Sequence, residues 1–91
     1  MSDGVVLYTT QWCPFCVRAK QLLDQLGVPY TEHRVDREPA LRSEMMKKSG
    51  GRHTVPQVFI GNRHVGGCDE TVAAHRAGQL AVWLKEVGIH V

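Results

Sequence analysis

Cys13 and Cys16 are separated only by Pro14-Phe15, and the tetrapeptide lies between the apolar run Val5-Val6-Leu7-Tyr8 and a stretch of helical spacing. A cysteine at a helix N-terminus sits beside backbone N–H groups without partners and beside the positive end of the macrodipole, and both favour thiolate over thiol. Thiolate is the nucleophile of thiol–disulfide exchange, and thiols in such CxxC motifs ionise at roughly pH 3.5–7.5 instead of ~8.5. A second cysteine one turn inside the helix can attack a mixed disulfide formed on the first. Cys13 is therefore read as the attacking thiol and Cys16 as the resolving one. Pro14 falls at the first helical position, where its missing N–H costs nothing.

A structural pair is the plain alternative, either a disulfide or half of a zinc site. Zinc normally needs a second ligand pair, but Cys68 is isolated, and His53 and His64 flank a predicted strand without ligand spacing. A lone CxxC is also a common coincidence. The strand before it, the helix after it and the proline within it favour a redox motif. No metal and no tightly bound cofactor are expected.

These thiols need a scaffold, and the 91-residue chain is long enough for one domain, residues 1–91, with a modest core. Its 11 basic and 9 acidic side chains are too evenly balanced to suggest nucleic acid or a membrane surface as partner. Three cysteines, an odd number with two in CxxC, fit a reducing compartment better than a secreted disulfide framework. Met1-Ser2-Asp3-Gly4 carries no basic or long apolar leader pattern, and no stretch approaches the ~20 apolar residues of a membrane span. A soluble, cytoplasmic monomer is expected.

Val5–Thr9 suits a central strand buried on both faces. Phe15, Ala19, Leu22, Leu23 and Leu26 recur at helical spacing until Gly27 and Pro29. Tyr30–Val35 alternates as a strand, and Asp36 or Glu38 is expected to cap a helix with Pro39 in its first turn and Leu41 and Met45 on its inner face. Ser49-Gly50-Gly51 ends that helix. Val55–Ile60 and Arg63–Gly66 are expected as strands joined through Gly61-Asn62. Asp69 is expected to cap a helix to about Ala77, and Leu80, Trp83, Leu84 and Val87 line a last one. The order is β-α-β-α-β-β-α-α. A parallel βαβ unit followed by a crossover is expected from the first three strands, with the hairpin closing the sheet antiparallel and helices on both faces.

Tyr8-Thr9, Cys13-Pro14-Phe15-Cys16, Thr54-Val55-Pro56 and Gly66-Gly67-Cys68-Asp69, in this order and spacing, resemble the dithiol glutaredoxins, especially the small bacterial type. The resemblance covers nearly the whole chain. It implies an α/β thioredoxin fold, a four-stranded mixed sheet flanked by helices. It also implies glutathione as co-substrate, and reduction of protein disulfides and glutathione mixed disulfides, with ribonucleotide reductase as a client.

By the same resemblance Pro56 follows a cis bond opposite the cysteines, and Val55 offers its backbone to an extended substrate, as an added strand does. Gly67, Cys68 and Asp69 correspond to the site for the γ-glutamyl end of glutathione, with Thr54, Val55 and Pro56 beside it. Glycines allow close approach, and the following helix N-terminus offers N–H groups to a carboxylate. The glycyl carboxylate needs a cation. Many glutaredoxins place a lysine three residues before the first cysteine, where this chain has Thr10. Arg42 or Arg52 could supply the fork that carboxylates favour. Two other functions compete: a redoxin reduced by thioredoxin reductase, against which Gly66–Asp69 argues, and an iron–sulfur carrier, against which Pro14 argues.

Overall fold

The computed structural model describes residues 4–91. Its elements are β1 (Val5–Thr9), α1 (Pro14–Gln25), β2 (Tyr30–Arg34), α2 (Pro39–Lys48), β3 (Gln57–Ile60), β4 (Arg63–Gly66), α3 (Cys68–Arg76) and α4 (Gln79–Glu86). The element order is the expected one. The strands form one mixed sheet in the order β2-β1-β3-β4. β1 and β2 are parallel, with Val5 opposite Tyr30 and Thr9 opposite Arg34. β3 is antiparallel to both β1 and β4. Parallel pairing thus stops at β1–β2 and does not extend to a third strand, because the chain after α2 re-enters from the end of the sheet at which β1 finishes.

Alternation along the two central strands divides the interior. Val5, Leu7, Val58 and Ile60 face α1, α3 and α4, where they pack with Ala19, Leu23, Leu80 and Leu84. Tyr8 and Phe59 face α2, where they pack with Met45 and Val35, and Val6, Leu41 and Val55 close the edge of this smaller cluster. Helices therefore cover both faces. Leu22 and Trp83 pack against the larger cluster as half-buried residues, and the Arg63 guanidinium lies 4.9 Å from the centre of the Trp83 ring.

Three local expectations change. β3 begins at Gln57, two residues later than the apolar pattern suggests, because Val55 and Pro56 form a loop ahead of the ladder. Glu38 occupies the N-cap position of α2 without a capping side-chain bond, and the Asp36 carboxylate is turned to Arg34 and the Gln11 N–H. Asp69 is not the cap of α3: Gly67 is, and Asp69 lies in the first turn. No helix among the described residues is long and apolar enough to cross a membrane.

Candidate active site

Cys13 is the N-cap of α1, with extended backbone (φ −108°, ψ 105°), and Pro14 opens the helix. The Cys16 N–H donates to Cys13 Sγ at 3.1 Å. Cys13 is half-buried, Cys16 is buried, and both thiols are free. Cys16 is pushed up to about 12, first by burial, then by hydrogen bonding to the Cys13 side chain and by its charge; the Thr10 N–H and Lys20 pull the other way. One thiol is therefore presented and the other withheld, as the sequence order of attack and resolution requires.

The segment before Cys13 is held from β2. Asp36 accepts from the Gln11 N–H at 3.1 Å and binds the Arg34 fork at 2.9 and 2.7 Å. The Arg34 hydrogen bond and the Gln11 N–H hold the Asp36 carboxyl well below the usual carboxylate range. Next in the chain, Trp12 adopts φ 61° and is 89% exposed. That backbone region is uncommon for a bulky residue. Nothing in the sequence marked it beyond a large aromatic beside the cysteine.

Opposite Cys13 lies the loop before β3. The Val55–Pro56 peptide is cis, as the resemblance implied, and the Cys13 thiol faces the Val55 carbonyl oxygen at 3.9 Å. From here an open cleft of about 220 Å³ runs along Phe15, Thr54, Val55 and Pro56 to Gly67, Cys68 and Asp69, with Arg52 and Glu70 at its edge. It gathers seven of the residues singled out from sequence: Arg52, Thr54, Val55, Pro56, Gly67, Cys68 and Asp69.

The far wall depends on two glycines. Gly66 has φ +121°, and a Cβ there would meet the Glu70 side chain at 2.8 Å. A Cβ on Gly67 would stand 3.4 Å from the Pro56 carbonyl oxygen. Gly66 thus leaves room for the Glu70 side chain, and Gly67 is where this segment comes nearest the Pro56 carbonyl. Gly67 has no side chain to cap α3, and Glu70 compensates by accepting the Gly67 N–H at 2.5 Å. The Thr71 hydroxyl donates back to the Gly67 carbonyl at 2.8 Å. Glu70 escaped the reading of the sequence, although its spacing from Gly67 is that of a capping box. Asp69, relieved of capping, is exposed on the first turn, and Cys68 is buried as the first residue of α3.

The two candidate arginines lie apart. Arg52 Nη1 pairs with Glu70 Oε2 at 3.3 Å, at the α3 end of the cleft. Arg42 does not line the cleft; its Nη1 donates to the His53 carbonyl at 2.9 Å, one residue before Thr54. Lys20 binds Glu32 at 3.1 Å, with the Thr9 hydroxyl on the same carboxylate oxygen at 2.6 Å. Among the described residues no three His, Cys, Asp or Glu side chains gather as a metal site would require.

A glutaredoxin family model matches residues 5–65. The glutaredoxin of Pseudomonas aeruginosa is 55% identical over 81 residues, which span 89% of this chain and 95% of that protein. Glutaredoxin 3 of Escherichia coli is 48% identical over 82 residues, 90% of this chain and 98% of that one. Among solved structures, a buckwheat glutaredoxin–glutathione complex superposes with a TM-score of 0.86 at 37% identity, covering 97% of this chain and 82% of that one. The solution structure of glutaredoxin from Brucella melitensis gives 0.80 at 43% identity, covering 97% and 95%. An accessible thiol at a helix cap, a buried partner thiol and relatives matched over nearly their full length lead to one conclusion: this chain belongs to the glutaredoxin family and is a thiol–disulfide oxidoreductase with the thioredoxin fold.

Proposed function

We infer that the protein uses glutathione to reduce glutathione mixed disulfides and protein disulfides. The observation that carries this is the cleft, which begins at the loop facing Cys13 Sγ and ends at the N-terminus of α3. An extended tripeptide thiol fits such a groove, and the buckwheat relative was solved as a glutathione complex.

In this mechanism the Cys13 thiolate attacks the glutathione sulfur of a mixed disulfide. The bond from that sulfur to the target breaks, the target leaves as a thiolate that takes a proton from water, and Cys13 is left glutathionylated. A second glutathione thiolate attacks the bound glutathione sulfur, releasing glutathione disulfide and the Cys13 thiolate. With a protein disulfide, Cys13 forms the mixed disulfide with the target and Cys16 displaces it. The electrostatics suit this order. Once Cys13 is bonded to substrate its charge is gone, and with it one cause that holds Cys16 in the thiol form. The Thr10 N–H and Lys20 continue to favour the Cys16 thiolate. The Cys13–Cys16 disulfide is then reduced by two glutathiones.

Along the cleft, Val55 offers backbone groups that stand outside the β3 ladder. The α3 N-terminus and exposed Asp69 suit the carboxylate and ammonium of the γ-glutamyl end. Arg52 already lies at that end, so the cation for the glycyl carboxylate is assigned to Arg42, beside the start of the loop. Thr54, Pro56, Gly67 and Cys68 supply the walls. The clients are glutathionylated and disulfide-bearing proteins, with ribonucleotide reductase among them by resemblance, and the working form is a cytoplasmic monomer.

The test is turnover of a glutathionylated peptide with glutathione and glutathione reductase, run beside thioredoxin reductase. Cys13→Ser should abolish turnover, whereas Cys16→Ser should retain peptide deglutathionylation and lose protein-disulfide reduction. Reduction by thioredoxin reductase alone would overturn the glutathione assignment, and equal loss of both activities in Cys16→Ser would overturn the one-thiol route.

A further inference from the structure

The Thr54–Pro56 loop precedes the sheet ladder, so its shape must be held from elsewhere. We propose that Gln57 and His64 are positioning residues for this loop: the His64 imidazole orients the buried Gln57 amide, and that amide fixes the backbone along which substrate is read. The inference deepens the glutathione-dependent function inferred above and rests on it.

Gln57 is fully buried, at 0% exposure. A primary amide in such a place is costly unless its donors and acceptor are all used. Here its Nε2 donates to the Thr54 carbonyl at 3.0 Å and reaches the Thr54 hydroxyl at 3.2 Å. A carbonyl can only accept, so the amide nitrogen must face Thr54 and the amide oxygen must face His64. Gln57 Oε1 and His64 Nε2 are 2.6 Å apart. Because that oxygen too can only accept, His64 carries its hydrogen on Nε2. Neutral and protonated forms of this tautomer both keep the donor.

The imidazole is itself held by packing. His64 stacks on Phe59, its partner across the hairpin, with ring centres 4.8 Å apart and planes 27° apart. Phe59 meets Tyr8 edge-on at 5.6 Å. Gln57 and Phe59 are two residues apart and share one face of β3. A ring fixed on Phe59 therefore reaches back along the strand to Gln57, and Gln57 closes onto the residue three before it. The link spans the Thr54–Gln57 turn without using a backbone group of Val55. The Val55 carbonyl thus stays opposite Cys13 Sγ, and its peptide groups remain available to substrate.

Two substitutions separate orientation from packing. His64→Phe keeps an aromatic ring on Phe59 and deletes the N–H, while His64→Gln restores an amide N–H at similar reach. Three quantities are read: KM and kcat for a glutathionylated peptide, the Cys13 alkylation rate with iodoacetamide, and hydrogen exchange of the Gln57 side-chain amide by NMR. His64→Phe should raise KM by about tenfold, the consequence of leaving one buried amide oxygen unpaired. It should also speed exchange of the Gln57 side-chain amide by a similar factor, while Cys13 alkylation, which depends on the start of α1 and needs no substrate held along the loop, stays within twofold. His64→Gln should lie close to the unsubstituted protein. Unchanged KM and exchange in a folded His64→Phe protein, or a His64→Gln protein as impaired as His64→Phe, would overturn the proposal. Should His64→Phe not fold, the nitrogen-15 shifts of the unsubstituted protein decide: a hydrogen on Nδ1 alone refutes it, and one on Nε2 supports it. If the unsubstituted protein shows no glutathione-dependent turnover, the inferred function fails, and exchange and tautomer still judge the loop.

Discussion

Cys16 offers the most direct measurement of how the fold divides labour between two thiols. Its side chain is 1% exposed, and its thiol is pushed up to about 12 from an ordinary 9.0, with burial the largest cause and the Cys13 sulfur next. A thiol titrating there is ionised roughly a thousandfold less at pH 7–8 than one titrating at 9.0. The more basic thiolate is the better nucleophile, and a Brønsted slope of about 0.4–0.5 returns a factor of roughly twenty. The remaining deficit is about fiftyfold, before any steric shielding by the surrounding core. The assay is pulsed alkylation with iodoacetamide between pH 6 and 9, quenched and read site by site by mass spectrometry, with N-acetylcysteine as reference. Cys16 in the folded protein should label at least about fiftyfold more slowly than the reference at pH 8. In Cys13→Ala the second and later contributions from the Cys13 sulfur disappear while the helix stays packed, so Cys16 should label faster than before and still lag the reference. A Cys16 that labels at the reference rate in folded protein would refute the burial argument. A Cys13→Ala protein with unchanged Cys16 labelling would refute the coupling between the two sulfurs, and with it the account of how Cys16 is released to resolve a mixed disulfide.

Removing Arg42 should raise KM for a glutathionylated peptide roughly tenfold or more, as loss of a charge-assisted contact does, while Arg52→Ala acts at the other end of the cleft; steady-state kinetics of both variants decide between them. Thr10→Lys should change KM little if Arg42 already supplies the cation. Glu70→Ala should destabilise the fold by on the order of 1 kcal/mol because the Gly67 N–H loses its acceptor, whereas Asp69→Ala, which caps nothing, should leave urea melts nearly unchanged and weaken glutathione binding. The Asp36 carboxyl is lower in the folded protein than in the unfolded chain, chiefly through Arg34. Its stabilising effect is thus complete above pH ~4, the ordinary aspartate range, and fades as pH falls toward the folded value. Between pH 5 and 2 the melting temperature of Asp36→Asn should therefore fall less steeply than that of the unsubstituted protein; parallel curves would refute the clamp.

Much of the molecule was legible along the chain because its signals are local. The apolar run Val5–Tyr8, the helical recurrence from Phe15 to Leu26 and the glycine-led hairpin at Gly61-Asn62 each express a preference of a few neighbouring residues. So does the placement of Cys13 and Pro14, since a helix start is decided within one turn. The roles expected of the two cysteines rest on that start.

What the sequence could not decide depends on contacts between distant segments. The antiparallel run of β3 against β1 is set by how α2 returns the chain to the sheet, which no strand pattern records. Asp69 reads locally as a cap, yet the folded helix starts at Gly67, and Glu70 accepts the capping bond from the Gly67 N–H. Arg42 and Arg52 are equivalent as exposed cations in a sequence, and only the packing of α2 and α3 around the cleft sends one to His53 and the other to Glu70. Gln57 reads as a polar break in an apolar strand. It becomes a buried brace only because β4 brings His64 to one side of its amide and the Thr54 turn supplies an acceptor on the other. A hydrogen bond needs both partners within about 3 Å, and for residues far apart in the chain that distance exists only once the fold is made.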